Sequence, residues 1–202
     1  MSIFRYYLVA QPVAAGGGRR PGRIAVRRIE PSDPVCAHFP VREQVTRRRF
    51  AGGALCLVAE DAGRFAGYLW LQLGPYDEDE VRCRYVMEPA ARCAWDFDVY
   101  VHPDFRLGRA FARLWDAAHA MLREQGIEWT MSRISAFNPE SLRSHGRLGL
   151  ERLGTVTFLR AGSAQFMWAG RAPWFHASLD KAKAPRVVLR APADARPGVA
   201  QP

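Results

Sequence analysis

Val99-Tyr100-Val101-His102-Pro103-Asp104-Phe105-Arg106-Leu107-Gly108-Arg109-Ala110-Phe111 is the stretch on which the reading of this chain turns. Behind it, Cys93–Val101 alternates as a strand does, with Trp95, Phe97, Val99 and Val101 on one side and Asp96, Asp98 and Tyr100 on the other. Ahead of it, Leu107–Gln125 carries Phe111, Leu114, Trp115, Ala118, Met121 and Leu122 as an apolar stripe at helical spacing, and Gly126 stands where a left-handed cap ends a helix. A strand therefore passes through a short turn straight into a helix. The first turn of a helix leaves backbone N–H groups without intrahelical partners and carries about half a positive charge. Gly108 and Ala110 are small enough to let an anion approach those groups, and Arg106 and Arg109 add charged donors, so the turn reads as a phosphate site. It is neither a Walker A loop nor a G-x-G-x-x-G loop, and Arg-x-x-Gly-x-Ala alone is equally compatible with an ordinary helix start.

Outward from this unit, residues 4–9 and 24–29 read as strands around the loop Gly-Gly-Gly-Arg-Arg-Pro-Gly. A helical region starts at Ser32-Asp33-Pro34, runs to about Arg49 and stops at Gly52-Gly53. Ala54–Glu60 and Phe65–Leu73 form a hairpin through Asp61-Ala62-Gly63-Arg64, and Asp77–Glu80 reads as an exposed acidic loop. Ile127–Ser135 is a strand. Asn138-Pro139-Glu140 opens a short helix that stops at Gly149, with Asn as its cap. Leu153–Arg160 and Ala164–Ala169 make a last hairpin, and beyond Phe175 an Ala/Pro/Arg-rich tail reads as largely disordered. That order predicts an α/β chain (α+β in the arrangement of its strands), with a mixed sheet and helices packed on it. The expected division is 1–23 as an N-terminal strand and loop, 24–170 as the domain, and 171–202 as the tail.

The chain has 202 residues, 49% of them hydrophobic and 24% charged, which suits a globular domain able to bury a core without staples. No apolar run approaches the ~20 residues of a membrane span, and the N-terminus has no signal-peptide pattern. Cys36, Cys56, Cys83 and Cys93 are scattered without a C-x-x-C pair or a His cluster, so reduced cytoplasmic thiols are expected and no metal site. The net charge of +9 is uneven: residues 50–104 are acidic and both flanks are basic. Only Lys181 and Lys183 are lysines, so the skew to arginine also fits a GC-rich coding sequence. Without a docking motif or aromatic interleaving, nucleic acid is not an expected partner.

Two motifs at this separation resemble the GNAT acyltransferase superfamily. Val101-His102-Pro103-Asp104-Phe105-Arg106-Leu107-Gly108-Arg109-Ala110 is similar to its Val-x-Pro-x-x-Arg/Gln-x-x-Gly-x-Gly/Ala signature. Asn138–Leu150 is similar to its Asn-x-x-(Ala/Ser)-x-x-x-Tyr-x-x-x-Gly-Phe element, and the order of elements from about Ile24 to Ala169 also matches. The resemblance implies a mostly antiparallel central sheet with a V-shaped splay between the fourth and fifth strands. It implies acetyl-CoA, or another acyl-CoA, as co-substrate. The pantetheine arm would lie on the backbone of Val99, Tyr100 and Val101, and the pyrophosphate on Arg106, Leu107, Gly108, Arg109, Ala110 and Phe111, with Asn138 beside the arm. The expected reaction is acetyl transfer to a primary amine, a small molecule or a peptide, by direct attack in a ternary complex. Homodimers are common among similar proteins.

An amine nucleophile must lose a proton, so a base is expected. Asp98, supported by Asp96, is the first choice, against the alternative that both pair with arginines such as Arg133. The tyrosine that the family often uses as acid is here His145, which either donates a proton or replaces the phenol sterically. The remaining alternative is a weakly catalytic or non-catalytic module that binds CoA or an acyl carrier.

Overall fold

The computed structural model describes residues 1–14, 22–180 and 182–193. Most of the glycine-rich loop, Lys181 and the last residues of the tail lie outside the described residues. In chain order the elements are β1 (Ser2–Pro12), β2 (Ile24–Ile29), α1 (Glu43–Ala51), β3 (Leu55–Asp61), β4 (Arg64–Leu73), β5 (Tyr76–Asp77), β6 (Arg84–Glu88), β7 (Cys93–Val101), α2 (Ala110–Glu124), β8 (Trp129–Ser135), α3 (Pro139–Gly146), β9 (Glu151–Ala161), β10 (Ala164–Ala169), β11 (Phe175–Ser178) and β12 (Arg186–Arg190). Strand pairing is mixed, as the order of elements predicts, and mostly antiparallel, as the resemblance implies.

The chain divides into two compact units, and β7 runs from one into the other. The first unit comprises Met1–Val13, Gly74–Trp95 and the described part of Ile127–Arg196. Its main strands follow the order β11-β10-β9-β1-β8, all antiparallel, and the first residues of β7 join β8 in parallel. Tyr6, Leu8, Ala10, Phe158 and Met167 are buried along these strands. Each such large apolar side chain contributes ~1.5–3 kcal/mol through removal from water. A small second sheet, β12-β6-β5, buries Tyr85, Met87, Val187 and Leu189. Tyr85 stacks on Trp95 with centroids 4.7 Å apart.

β11 and β12 fall in the stretch whose composition reads as mostly unstructured. Val187-Val188-Leu189 is the reason for β12: it pairs in parallel with β6, and two of its three side chains have no exposure. β6 itself escapes a reading of local pattern because its partner strand lies about a hundred residues away.

The second unit comprises Ala14–Leu73 and Asp96–Gly126 as described. β2, β3 and β4 pair antiparallel, and β7 lies beside β4. The β3–β4 turn has Ala62 at φ 51° and Gly63 at φ 78°, the geometry a two-residue hairpin turn needs. The helical region expected from Ser32 to Arg49 is two pieces. Asp33 caps a 3-10 turn over Pro34–His38, the chain extends at Phe39, and α1 follows. Pro40 accounts for the break, because a residue before proline avoids the helical region. One face of β3 and β4 holds Cys56, Val58, Tyr68 and Trp70 in a cluster with Ile29, Val35 and Phe39. By alternation Leu57, Leu69 and Leu71, also buried, lie on the other face, and α2 packs on β2, β3 and β4. The buried side of α2 is Ala110, Leu114, Trp115, Ala118, His119 and Leu122, a stripe turned slightly from the expected one, since Phe111 and Met121 are only half-buried.

Candidate active site

The turn between β7 and α2 lies wholly in the second unit. A 3-10 turn over Pro103–Phe105 follows His102, whose Nδ1 accepts from the Asp104 N–H. Arg106, Leu107, Gly108 and Arg109 are all exposed, and α2 begins at Ala110. The Arg109 side chain makes no cap to the helix, and the first turn of α2 holds no acidic residue. Ala110 has no exposure. Its methyl therefore faces the interior and does not crowd an anion. At Gly108 a Cβ would sit 3.2 Å from the Phe105 carbonyl oxygen, to which the Gly108 N–H donates at 3.0 Å. A side chain there would strain this tight turn. Arg106 and Arg109 supply cations at the rim.

Val99, Tyr100 and Val101, the strand residues leading into the turn, are half-buried. The Tyr100 ring stacks against Phe65 at 6.1 Å and lies 5.5 Å from Tyr68. Gly67 on β4 lets the two strands close together: a Cβ there would lie 2.3 Å from the Tyr100 carbonyl oxygen. The parallel ladder between β7 and β8 comprises Cys93–Trp129, Ala94–Thr130 and Trp95–Met131, and so occupies only the first part of β7.

The strict alternation expected through Val101 fails at Asp98. Asp98 has φ 47°, a left-handed conformation that is uncommon outside glycine. Such a residue shifts the register of everything after it. Phe97 and Tyr100 accordingly pack against the same aromatic cluster, where alternation would send them to opposite faces. Asp96 is buried at 3% exposure. The Asp98 side chain retains 32%. Its Oδ2 accepts from Arg49 on α1 and from the Tyr68 hydroxyl at 3.0 Å. The Arg49 guanidinium lies 5.4 Å from the Trp70 ring centroid and 5.2 Å from that of Phe97. Burial, then the Asp98 charge, pushes the Tyr68 phenol well up, so it remains a donor.

Asp98 does pair with an arginine, as the alternative expected, but that arginine is Arg49; Arg133 binds acidic residues of its own unit. It donates to both oxygens of Glu78, at 2.8 and 2.7 Å, and to Glu80 Oε2 at 2.7 Å. Asp77, Asp79 and Glu80 are exposed, as expected of an acidic loop, whereas the Glu78 side chain has no exposure and folds onto Arg133. This cluster belongs to the first unit. Asn138 caps α3 as expected, its Oδ1 accepting from the Ser141 N–H at 3.0 Å. His145, on the same helix, is 5% exposed, with Nδ1 3.3 Å from Gln11 Oε1. Burial lowers its pKa to about 4, so the imidazole is neutral at neutral pH. His119 on α2 is lowered to about 4 as well, by burial and then by Arg123. Trp70, Trp95 and Trp129 are core residues.

Arg49 and Tyr68 are the site residues that pattern reading missed. The one signal was a tyrosine inside the apolar strand Phe65–Leu73, because a buried phenol needs a partner for its hydroxyl.

A mixed, mostly antiparallel sheet flanked by helices defines the fold class. The chain belongs to the acetyltransferase (GNAT) family, whose model matches residues 24–150. Among solved structures it is similar to a GNAT-family protein from Novosphingobium aromaticivorans, at TM-score 0.55 and 17% identity over 78% of this chain and 63% of that one. It is similar to a tandem GNAT protein of the clavulanic acid biosynthesis pathway, at TM-score 0.51 and 16% identity over 75% and 51%. A GCN5-related glucosamine N-acetyltransferase region in a fungal multi-domain β-N-acetylglucosaminidase gives TM-score 0.52 and 15% identity over 75% and 20%. These likenesses are of fold, and the chain spans less than two thirds of each of these proteins. No curated protein matches it.

Proposed function

We propose that this protein is an acyl-CoA-dependent N-acyltransferase, with acetyl as the acyl group and a primary amine as acceptor. The observation that carries the reading is the turn Arg106–Phe111: exposed, free of acidic side chains at the start of α2, and inside the stretch matched by the family model. A diphosphate fits it, since the positive end of α2 and the backbone N–H groups of its first turn lie there, and Arg106 and Arg109 flank them. The same turn in an acyl-CoA enzyme would hold the CoA pyrophosphate. The pantetheine arm would run along the backbone of Val99, Tyr100 and Val101.

The thioester supplies an activated acyl carbon. In the proposed reaction the amine nitrogen attacks that carbon, the carbon–sulfur bond breaks, and CoA leaves as thiolate. The nitrogen gives up a proton, and we assign its acceptance to Asp98 Oδ1, since Arg49 and Tyr68 both bind Oδ2. Asp96 is kept as the supporting carboxylate. His145, buried and neutral at working pH, suits an orienting role in α3 better than that of an imidazolium donor. Four free cysteines support a cytoplasmic location, and no described helix is long and apolar enough to cross a membrane.

The test is a thermal shift with acetyl-CoA, longer acyl-CoAs and CoA, followed by thiol release over an amine panel. A ligand present at a hundred times its dissociation constant stabilises the native state by about 2.7 kcal/mol. Stabilisation by acyl-CoA with amine-dependent thiol release supports the reading. Stabilisation without any release points to the binding module instead.

A further inference from the structure

Asp98 combines three features that a solvent-facing carboxylate does not need. Its backbone is left-handed at φ 47°, within a strand. Its carboxylate is bound by an arginine whose side chain is 11% exposed and by a phenol in the core. The strand segment just after it is pressed against β4, at the one point where glycine leaves room. A non-glycine residue pays for a left-handed backbone, and it persists there only when its surroundings hold it. The surroundings here are Arg49, fixed against two aromatic rings, and Tyr68, fixed in the buried cluster of β3 and β4.

We propose that Arg49 and Tyr68 are positioning residues that clamp the Asp98 carboxylate and so hold β7 in the left-handed step at Asp98. That step sets where the backbone of Val99, Tyr100 and Val101 lies. The inference rests on the acyl-CoA reading of those residues. It separates two roles of Asp98, one conformational and one chemical. The conformational role belongs to its backbone and can be filled by glycine, which adopts positive φ without strain. The chemical role belongs to the carboxylate and cannot.

The experiment is a set of acetyl-CoA titrations on folded variants, with kcat measured alongside. Asp98→Gly keeps acetyl-CoA affinity within about threefold of wild type, because the step survives without the clamp. Asp98→Ala loses roughly tenfold in affinity, because alanine resists that conformation. Arg49→Met and Tyr68→Phe each weaken acetyl-CoA binding as single changes, Arg49→Met by roughly tenfold and Tyr68→Phe by less. Neither weakens it further once Asp98→Gly is present, and this loss of effect is the signature a merely structural role would not give. If Arg49→Met does not fold, Tyr68→Phe carries the same comparison. Equal affinity losses in Asp98→Gly and Asp98→Ala, or unchanged losses from Tyr68→Phe in the glycine background, overturn the clamp. A wild-type protein that binds no acyl-CoA overturns the acyl-CoA reading first, and the clamp with it.

Discussion

Two arginines in this molecule make nearly the same set of bonds and do different work. In the first unit, Arg133 and the Tyr6 hydroxyl both donate to Glu80 Oε2, and Arg133 lies 4.4 Å from the Tyr6 ring centroid. In the second, Arg49 and the Tyr68 hydroxyl both donate to Asp98 Oδ2, and Arg49 lies over Trp70 and Phe97. Arg133 also grips Glu78, so two carboxylates share one cation. Arg49 donates to Asp98, and that aspartate stands in a left-handed backbone within β7. The same chemistry thus ties down a loop in one place and holds a strained strand in the other. Strain kept by its neighbours marks a site more reliably than an ion pair does.

Substitutions can break this comparison. The largest expected effect is on chemistry: Asp98→Asn should lower turnover by ~10²–10⁴ and leave acetyl-CoA affinity near wild type, since asparagine tolerates the left-handed backbone. Turnover within a few-fold of wild type would place the base elsewhere. Arg133→Met should act on stability instead. It leaves Glu78 buried without its cation, at a cost of about 3 kcal/mol in denaturant unfolding, with acetyl-CoA affinity unchanged. A loss of affinity at equal stability would mean that the two regions do not divide the work in this way.

Acid pH sharpens the contrast further. His119 and His145 have folded pKa values of about 4, below the ordinary value of 6.5. The unfolded chain therefore takes up their protons first as pH falls. Their contribution is fully present above about pH 6.5, is lost progressively down to about pH 4, and amounts to roughly 3 kcal/mol per group. Unfolding free energies measured at pH 7.5, 6 and 5 should fall accordingly, and the double variant His119→Gln with His145→Gln should flatten the slope. An unchanged slope would assign the acid sensitivity to other groups. The smallest effect belongs to His145→Phe, which removes the contact to Gln11 and costs about 1 kcal/mol. If His145 instead supplies a proton, the alkaline limb of the rate profile moves in His145→Tyr.

The strand, turn and helix of the site were legible because each has its own period, and their junction falls at small residues flanked by arginines. The α3 cap was legible for a local reason, since Asn138, Pro139 and Glu140 each suit one position of a helix start. Three features lay beyond local pattern. An aspartate in a left-handed backbone looks like any other aspartate in an alternating strand. Arg49 meets it across 49 residues of chain, and Arg133 meets Glu78 across 55. The pairing of β12 with β6 joins a short apolar run to a strand about a hundred residues earlier, and no spacing rule anticipates a partner so distant.

The central claim is that the turn Arg106–Phe111 holds the CoA pyrophosphate, and Gly108→Glu tests it most directly. Position 108 is exposed and a Cβ there asks only a small shift of the Phe105 carbonyl, so the variant should fold, while its carboxylate adds bulk and a negative charge where the diphosphate would lie. Calorimetric titration with acetyl-CoA should show binding to the wild type and a loss of about a hundredfold or more in the variant, whose thermal unfolding remains cooperative. A folded Gly108→Glu protein that binds acetyl-CoA as tightly as the wild type would contradict the account.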